Sequence, residues 1–482
     1  MRRASTSSCA RCRATARENG ALRRQRDRLA RANARLKEKI ATLQAALERT
    51  RRAGKRQAAP FSKGAPKKRP RRPGRRAGRE YGLKARRPPP AWIDETLDAR
   101  LPGSCPHCGG NVHETHVDQQ FQTDLPPVRP HVTQFNVHIG ACVDCGRRVQ
   151  GRHPRQTSNA LGAAASQVGP QVLGLAADLH KGMGLSLEKV SGLFDRAFGL
   201  SITRGGVCLG IQRLARVAAP TYHALVQQVR LAPAVAVDET GWKVAGLLEW
   251  LWVFVTAQVT VYAIQPGRGF EQAAAVLGED FAGRLLRDGW APYRKFKAAT
   301  HQSCLTHLLG RCRENLETAT RGAARFPHAV KRLLKKALDL RDRRDRGELS
   351  VHGVAVATGR LGAGMDRLLD WHPTDEENRK FLQHLAHERD ALFTFLRYPG
   401  LPAANWPAEQ AIRPAVVTRK VCGGNRTWRG AQTQQIMASI LRTCHQQRRD
   451  PYAVLTQLLR SHVPIVAEVL LPESNRPPPL RF

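Results

Sequence analysis

Two aspartates in this chain stand where an apolar run stops. Ala-Val-Ala-Val at 234–237 ends in Asp238, Glu239 and Thr240, and Arg-Leu-Leu-Arg at 284–287 ends in Asp288, which opens the stretch DGWAPY carrying Tyr293. An acid at the tip of a short buried strand needs a reason other than packing, because a carboxylate is costly to bury alone. A ligand set lies upstream. Cys105-Pro-His-Cys108-Gly-Gly and Cys142-Val-Asp-Cys145-Gly are CxxC pairs separated by 33 residues. Four thiolates fit tetrahedral Zn2+, and the glycine after each pair permits the tight turn that aims backbone amides at sulfur, so the segment reads as a zinc ribbon with β-hairpin material between its knuckles. A redox reading of the pairs fails on their spacing and on the lack of a βαβ pattern beside them. Cys304-Leu-Thr-His307, with His301 and Cys312 close by, suggests a further metal site. One helical turn cannot supply four tetrahedral ligands, so a helix packing Cys304 and Leu308 on a sheet is the favoured reading, with His307 turned toward the acids.

The elements that must position the two acids are legible around them. After the strand ending in Asp238, Trp250–Val255 and Thr260–Ile264 read as two more strands, Phe270–Leu277 as a helix and the run before Asp288 as a fourth strand. The order β-β-β-α-β with acids at two strand ends matches a ribonuclease H-like layout, in which a third carboxylate arrives from a later helix. Glu239 neighbours Asp238 and points to the opposite face of its strand, which makes it the weaker candidate. RFPHAVKRLLKKALDLRDRRDRG and NRKFLQHLAHERDALFTFLRY read as helices inserted into this core at about 315–400.

Upstream, apolar positions at helical spacing run through 160–230, and a turn at Gly199–Thr203 separates two helices, the second bearing Arg204, Arg213 and Arg216. That pattern fits a helix-turn-helix, and it fits an ordinary helical hairpin almost as well. At the start of the chain Leu22, Leu29, Leu36 and Leu43 recur at a seven-residue step, with Arg26, Asn33, Ile40 and Leu47 at the companion positions. This predicts a zipper-like coiled coil over 1–50 and a homodimer or higher homo-oligomer, the alternative being one helix whose leucines pack elsewhere on the same chain. Residues 51–90 are rich in Pro, Gly, Lys and Arg and too poor in apolar side chains to fold, so they read as a disordered basic linker. Cys9 and Cys12 have no partner pair and remain unassigned.

Charge narrows the partner. Across 482 residues, 79 Lys and Arg oppose 39 Asp and Glu, a net charge of +40. Residues 1–90 alone hold 30 basic and 5 acidic side chains, so the first fifth is a basic arm suited to phosphate contact. The apolar stretch Leu251–Ile264 falls short of the ~20 residues of a spanning helix. The N-terminal sequence has no apolar signal core, which points to a cytoplasmic, nucleoid-associated protein of bacterial type.

The chain resembles the transposases of the insertion sequence 66 family, a group of DDE transposases. The resemblance is carried by CPHCGG with CVDCG, VDET ahead of a Trp-rich strand, DGWAPY ahead of CLTHLLGRC, and NWPAEQAIRP followed by RK. It covers nearly the whole chain. It implies a third acid, Glu409, in a helix starting near Trp406-Pro407, and a catalytic triad of Asp238, Asp288 and Glu409. Such a triad would hold two Mg2+ or Mn2+ ions about 4 Å apart for in-line phosphoryl transfer on DNA. The second acid has a rival in Asp280, eight residues upstream of Asp288; Asp288 is preferred because Tyr293 follows at five residues. Arg287 stands where the family more usually has an apolar residue. The resemblance also implies that Arg413, Arg419, Lys420 and Arg426 contact DNA.

The expected architecture is therefore multidomain α/β: a coiled coil (1–50), a linker (51–90), a zinc ribbon (91–155), a helical DNA-binding domain (160–230), a ribonuclease H-like catalytic core with a helical insertion (232–440), and a helical tail (441–482). The expected activity is cleavage and joining of DNA at the ends of a mobile element, with helper proteins of that element as further partners. The competing reading is a catalytically inactive DNA-binding regulator derived from a transposase; a ribonuclease H-type nuclease would need neither zipper nor ribbon.

Overall fold

The computed structural model describes residues 10–55, 88–461 and 464–471. Most of the expected linker, Cys9, and residues 472–482 lie outside the described residues. Two compact units are present, residues 1–122 and 123–482.

In the first unit, α1 (Ala10–Lys55) is one continuous helix. From Ala21 to Ala53 it has neither Gly nor Pro and is dominated by Ala, Leu, Arg, Lys, Glu and Gln, all strong helix formers. Its heptad residues Leu22, Leu29, Leu36, Ile40 and Leu43 are all more than half exposed. The boundary between the units falls inside the segment expected to be the ribbon. Of the 33 residues between the CxxC pairs, expected to supply hairpin strands, only Ile139–Ala141 forms one; 109–138 contain none, and Pro126, Pro127 and Pro130 remove ladder donors there. The short hairpin that does form, β1 (Ile139–Ala141) with β2 (Arg148–Gln150), brackets the second CxxC pair.

The second unit is built on a five-stranded mixed sheet. Its strands are β3 (Ala234–Val244), β4 (Leu247–Val255), β5 (Thr260–Gln265), β6 (Arg284–Arg287) and β7 (Thr300–Ser303), arranged in the order β5-β4-β3-β6-β7. The meander β3-β4-β5 is antiparallel, and β6 and β7 join parallel to β3. Strand alternation sorts the side chains cleanly between two faces. Val235, Val237, Trp252, Phe254 and Leu285 face one core; Ala236, Trp242, Val253, Tyr262 and Leu286 face another.

The first face is covered by α2 (Pro170–Ala177), α3 (Leu187–Phe198), α4 (Arg204–Leu231), α5 (Phe270–Leu277) and two late helices. Helices α3 and α4 meet at a tight turn. Gly199 closes α3 in the left-handed region, φ 61°, and Thr203 caps α4 by accepting from the Gly206 amide at 3.0 Å. Instead of ending after a recognition-helix length, α4 runs for 28 residues, and Val207, Leu214, Ala218, Leu225 and Val229 on it are buried in the same core as the sheet. The 160–230 segment therefore shares a core with the first face of the sheet and does not form a separate domain core. Residues of 441–471 join that core too, through Val454, Leu455 and Leu458.

The helical insertion has its own core. It comprises α6 (Leu305–Thr318), α7 (Arg325–Asp345), α8 (Val351–Leu369), α9 (Glu376–Glu388) and a short turn α10 (Thr394–Arg397), joined by Leu308, Val330, Leu334, Met365, Phe381, Leu385 and Phe395. The chain then returns as α11 (Trp406–Cys422), which lays Ala408, Ala411, Ile412 and Ala415 on the second sheet face. It continues into α12 (Trp428–Gln446), which runs along the β5 edge with Met437 and Ile440 in the first core and Ala431 in the second, and α13 (Pro451–Arg460), on the first face. Among the described residues no helix is long and apolar enough to cross a membrane.

Candidate active site

Register brings the two aspartates together. Parallel pairing sets Ala234 beside Arg284 and Ala236 beside Leu286. Two residues further on in that register, and on the same face by alternation, lie Asp238 and Asp288; Asp288 follows the end of β6, whereas β3 continues through Trp242 to Val244, so Asp238 stands mid-strand and not at the strand end the sequence suggested. Asp280 precedes β6 by four residues, so it sits at the opposite strand end, and it is exposed. Glu409 reaches the same face from α11. Asn405, just before that helix, fastens it: its side-chain amide donates to the Val237 carbonyl at 2.8 Å, and its backbone amide donates to Cys304 Sγ at 3.1 Å.

Asp238 is partly buried among other acids. Burial, then Glu239, then Asp288 and Glu409 raise the Asp238 carboxyl to about 7. Its one hydrogen bond among the described residues comes from the Glu239 amide, at 2.9 Å. Asp288 accepts from the Trp290 amide at 2.9 Å. Glu409 stands 3.9 Å from His307 Nδ1.

Glu239 belongs to another cluster. On the opposite strand face its carboxylate accepts from the Tyr293 hydroxyl and from Arg268 Nε at 2.6 Å. Arg268 lies over the Trp290 ring at 4.1 Å and over Trp250 at 4.9 Å, and the Trp290 indole N–H donates back to the Arg268 carbonyl at 3.1 Å. Those contacts use the Glu239 charge and fix the loop after Asp288.

The buried Arg287, the departure from the family pattern, has a structural explanation. Its guanidinium is ion-paired to the fully buried Glu388 at the end of α9, donates to the Asp288 carbonyl at 2.9 Å, and reaches His301 Nδ1 at 3.3 Å. Arg294 adds a 3.1 Å bond to Glu388. Gly289 completes the dock: a Cβ there would lie 2.2 Å from the His384 ring on α9. The helical insertion thus grips the Asp288 loop through a buried Arg-Glu-Arg cluster. No local sequence pattern signals this, because Glu388 lies 101 residues after Arg287.

A model of the transposase IS66 family matches residues 165–433, more than half of the chain. The chain belongs to that family. No curated protein matches it.

In this transposase-family chain the candidate DNA contacts divide. Arg413, Lys420 and Arg426 are exposed along and after α11, and Arg204 is exposed at the start of α4. Arg213 is half-buried. Arg419 turns inward and donates to Thr240 Oγ1 at 3.2 Å and to the Gly241 carbonyl, holding α11 to β3. Just beyond, Gly424 packs so closely that a Cβ would meet the Lys243 carbonyl oxygen at 2.3 Å. Its neighbour Asn425 accepts from the Trp242 indole at 2.8 Å.

Cys304, His307 and Glu409 each place a ligand atom within 4.8 Å of the others, the one such group of three among the described residues. Asp238 and Asp288 stand outside that tight group. His301, by contrast, contacts Arg287 and the Phe296 carbonyl, and burial with Arg287 lowers its basicity. Cys312 is buried in the insertion core.

Each CxxC pair forms a knuckle of its own. The Cys105 amide donates to Gly110 and the Gly109 amide to Cys105, both at 2.8 Å; the Cys142 amide donates to Arg147 at 2.8 Å and the Gly146 amide to Cys142 at 2.9 Å. Gly109 and Gly146 occupy the left-handed region, φ 74° and 64°, as these turns require. Hydrogen bonds from backbone amides and from the second cysteine of each pair lower the pKa of Cys105 and Cys142, favouring the thiolate.

Proposed function

We propose that this chain is a DNA transposase that cuts and joins strands at the ends of its mobile element, using Asp238, Asp288 and Glu409 in a ribonuclease H-like core. The observation that carries the reading is the convergence of three carboxylates on one sheet face, two through strand register and one through α11, without a compensating Lys or Arg on Asp238 among the described residues. Uncompensated negative charge of this kind fits divalent cations, and an all-oxygen set selects Mg2+ or Mn2+. Ions held by these acids would supply the activation of an attacking hydroxyl and the stabilisation of a leaving oxygen.

The chain's own residues do the rest. Asp238 holds a proton near neutral pH in the absence of a cation and gives it up when one binds. The Trp290 amide and the Arg287-Glu388 contact hold the Asp288 segment in place. Arg268 and Tyr293 keep Glu239 turned away from the reaction. Exposed Arg413, Lys420 and Arg426 are placed to contact phosphates, with Arg204 and Arg213 on α4 as further DNA contacts. Arg419 acts instead as a brace for α11.

Beyond the core, we read Cys105, Cys108, Cys142 and Cys145 as ligands of one structural Zn2+, and the exposed leucine stripe of α1 as a dimer seam with a second copy. The arm through residue 90 would add phosphate contact. Incubation of the purified protein with labelled element ends and Mg2+ tests the whole: end-specific nicks support a transposase, whereas tight binding without any cleavage would favour the regulator.

A further inference from the structure

We propose that Cys304, His307 and Glu409 form a zinc site that shares Glu409 with the catalytic acids, so that Zn2+ acts as an inhibitor of the Mg2+-dependent reaction. The inhibitory half rests on the transposase reading above; the zinc site does not.

The three residues come from two elements. Cys304 is the residue at which α6 begins, His307 lies one turn along it, and Glu409 lies in the first turn of α11. Their sulfur, nitrogen and oxygen atoms lie within 4.8 Å of one another, close enough to close on one ion. Cys304 sits at the start of α6, and the Asn405 amide donates to its sulfur at 3.1 Å, which fixes the sulfur beside α11. Asn405 adds an independent sign of a polar ligand here. Its side-chain Oδ1 is buried and has no hydrogen-bond partner among the described residues, while its other polar groups tie Cys304 to the residue before Asp238. A single helical turn is insufficient as a zinc site; the added carboxylate makes three protein ligands with one position open, the ligand count of exchangeable zinc sites.

Ligand softness separates this site from the acids beside it. Thiolate and imidazole favour Zn2+ over Mg2+, whereas Asp238 and Asp288 offer only hard oxygen. Zinc bound here draws Glu409 toward α6 and leaves the other acids without their third partner. Binding releases the thiol proton and any proton on His307, with no other change in bonding.

The test uses the full-length protein and two readouts. Zinc equivalents per chain are measured by competition with a chromophoric chelator in magnesium-free buffer, for the parent, Cys304→Ser and His307→Gln. Both variants should hold one equivalent fewer, or hold it at least about tenfold more weakly, while the remaining zinc is unchanged. Serine keeps an acceptor for the Asn405 amide, so α11 stays anchored, and thermal melting checks that both variants fold. In the second readout, added Zn2+ should suppress Mg2+-dependent cleavage in the parent and do so about tenfold less in Cys304→Ser. Identical zinc titrations for the parent and both folded variants would overturn the site. Loss of one equivalent with cleavage equally zinc-sensitive in the parent and Cys304→Ser would overturn the inhibitory coupling. Loss of one equivalent in a parent that cleaves nothing would uphold the site and count against the transposase chemistry alone.

Discussion

Asp238→Asn should make the protein more stable, and only at neutral to alkaline pH. The carboxyl is raised from 3.8 to about 7 by burial and by Glu239, Asp288 and Glu409. A carboxyl whose folded pKa is raised favours the fold fully below about pH 4, and this advantage is lost as pH climbs to about 7. At 1.36 kcal/mol per unit the whole loss is about 4 kcal/mol, of which about 3 kcal/mol falls between pH 5 and pH 8. Asparagine keeps the shape and never ionises. In magnesium-free buffer the variant should therefore melt close to the parent at pH 4.5 and roughly 5 °C above it at pH 8, at about 1.3 °C per kcal/mol for a unit spanning residues 123–482. Added Mg2+ should raise the parent's melting temperature at pH 8 and leave the variant nearly unmoved, because the ion replaces the missing positive charge. A variant-to-parent difference that stays constant from pH 4.5 to pH 8 would refute the reasoning, since the burden on the fold would then not be a charge.

Three other outcomes follow from named contacts. Glu388→Ala should destabilise the protein by about 3–5 kcal/mol by leaving Arg287 buried without its ion-pair partner, and Arg287→Met combined with Glu388→Leu should recover much of that loss in thermal melts. Metal analysis of the full-length protein should find one zinc fewer per chain in Cys142→Ser than in the parent; unchanged zinc would remove Cys142 from the ribbon ligands. Deleting residues 1–90 should lower the mass in solution and flatten the salt dependence of DNA binding, whereas an unchanged mass and slope would make the arm a tether.

The strands that carry the site were legible because each is an apolar run with a polar end. Asp238 and Asp288 stand out in that way without reference to any family likeness. Asp288 is preferred over Asp280 in the sequence for a nearby tyrosine; in the β3-β6 register Asp288 comes beside Asp238, and Asp280 lies before the other end of β6. Glu409 could be named only through the resemblance, because nothing local distinguishes an acid in a helix's first turn from an ordinary N-terminal charge. Strand β7 escaped notice because Thr-His-Gln-Ser has no apolar alternation. Pairings across long loops were equally invisible: Arg287 with Glu388, Arg419 with the Gly241 carbonyl, and the Arg268-Trp290 stack. The helices before the sheet were recognised, yet their periodicity did not say which face they cover, so the shared core with β3–β5 emerged only in three dimensions.

The central claim is that Asp238, Asp288 and Glu409 act as one metal-holding unit, and strand cleavage at labelled element ends in Mg2+ tests it most directly. Asp238→Asn, Asp288→Asn and Glu409→Gln should each reduce cleavage by several orders of magnitude while binding to the ends persists, and double variants should lose little more. Asp280→Asn, at the other end of the strand, should cleave like the parent. Cleavage at parental rate in the three single variants, or an inert Asp280→Asn beside an active Asp288→Asn, would contradict the account.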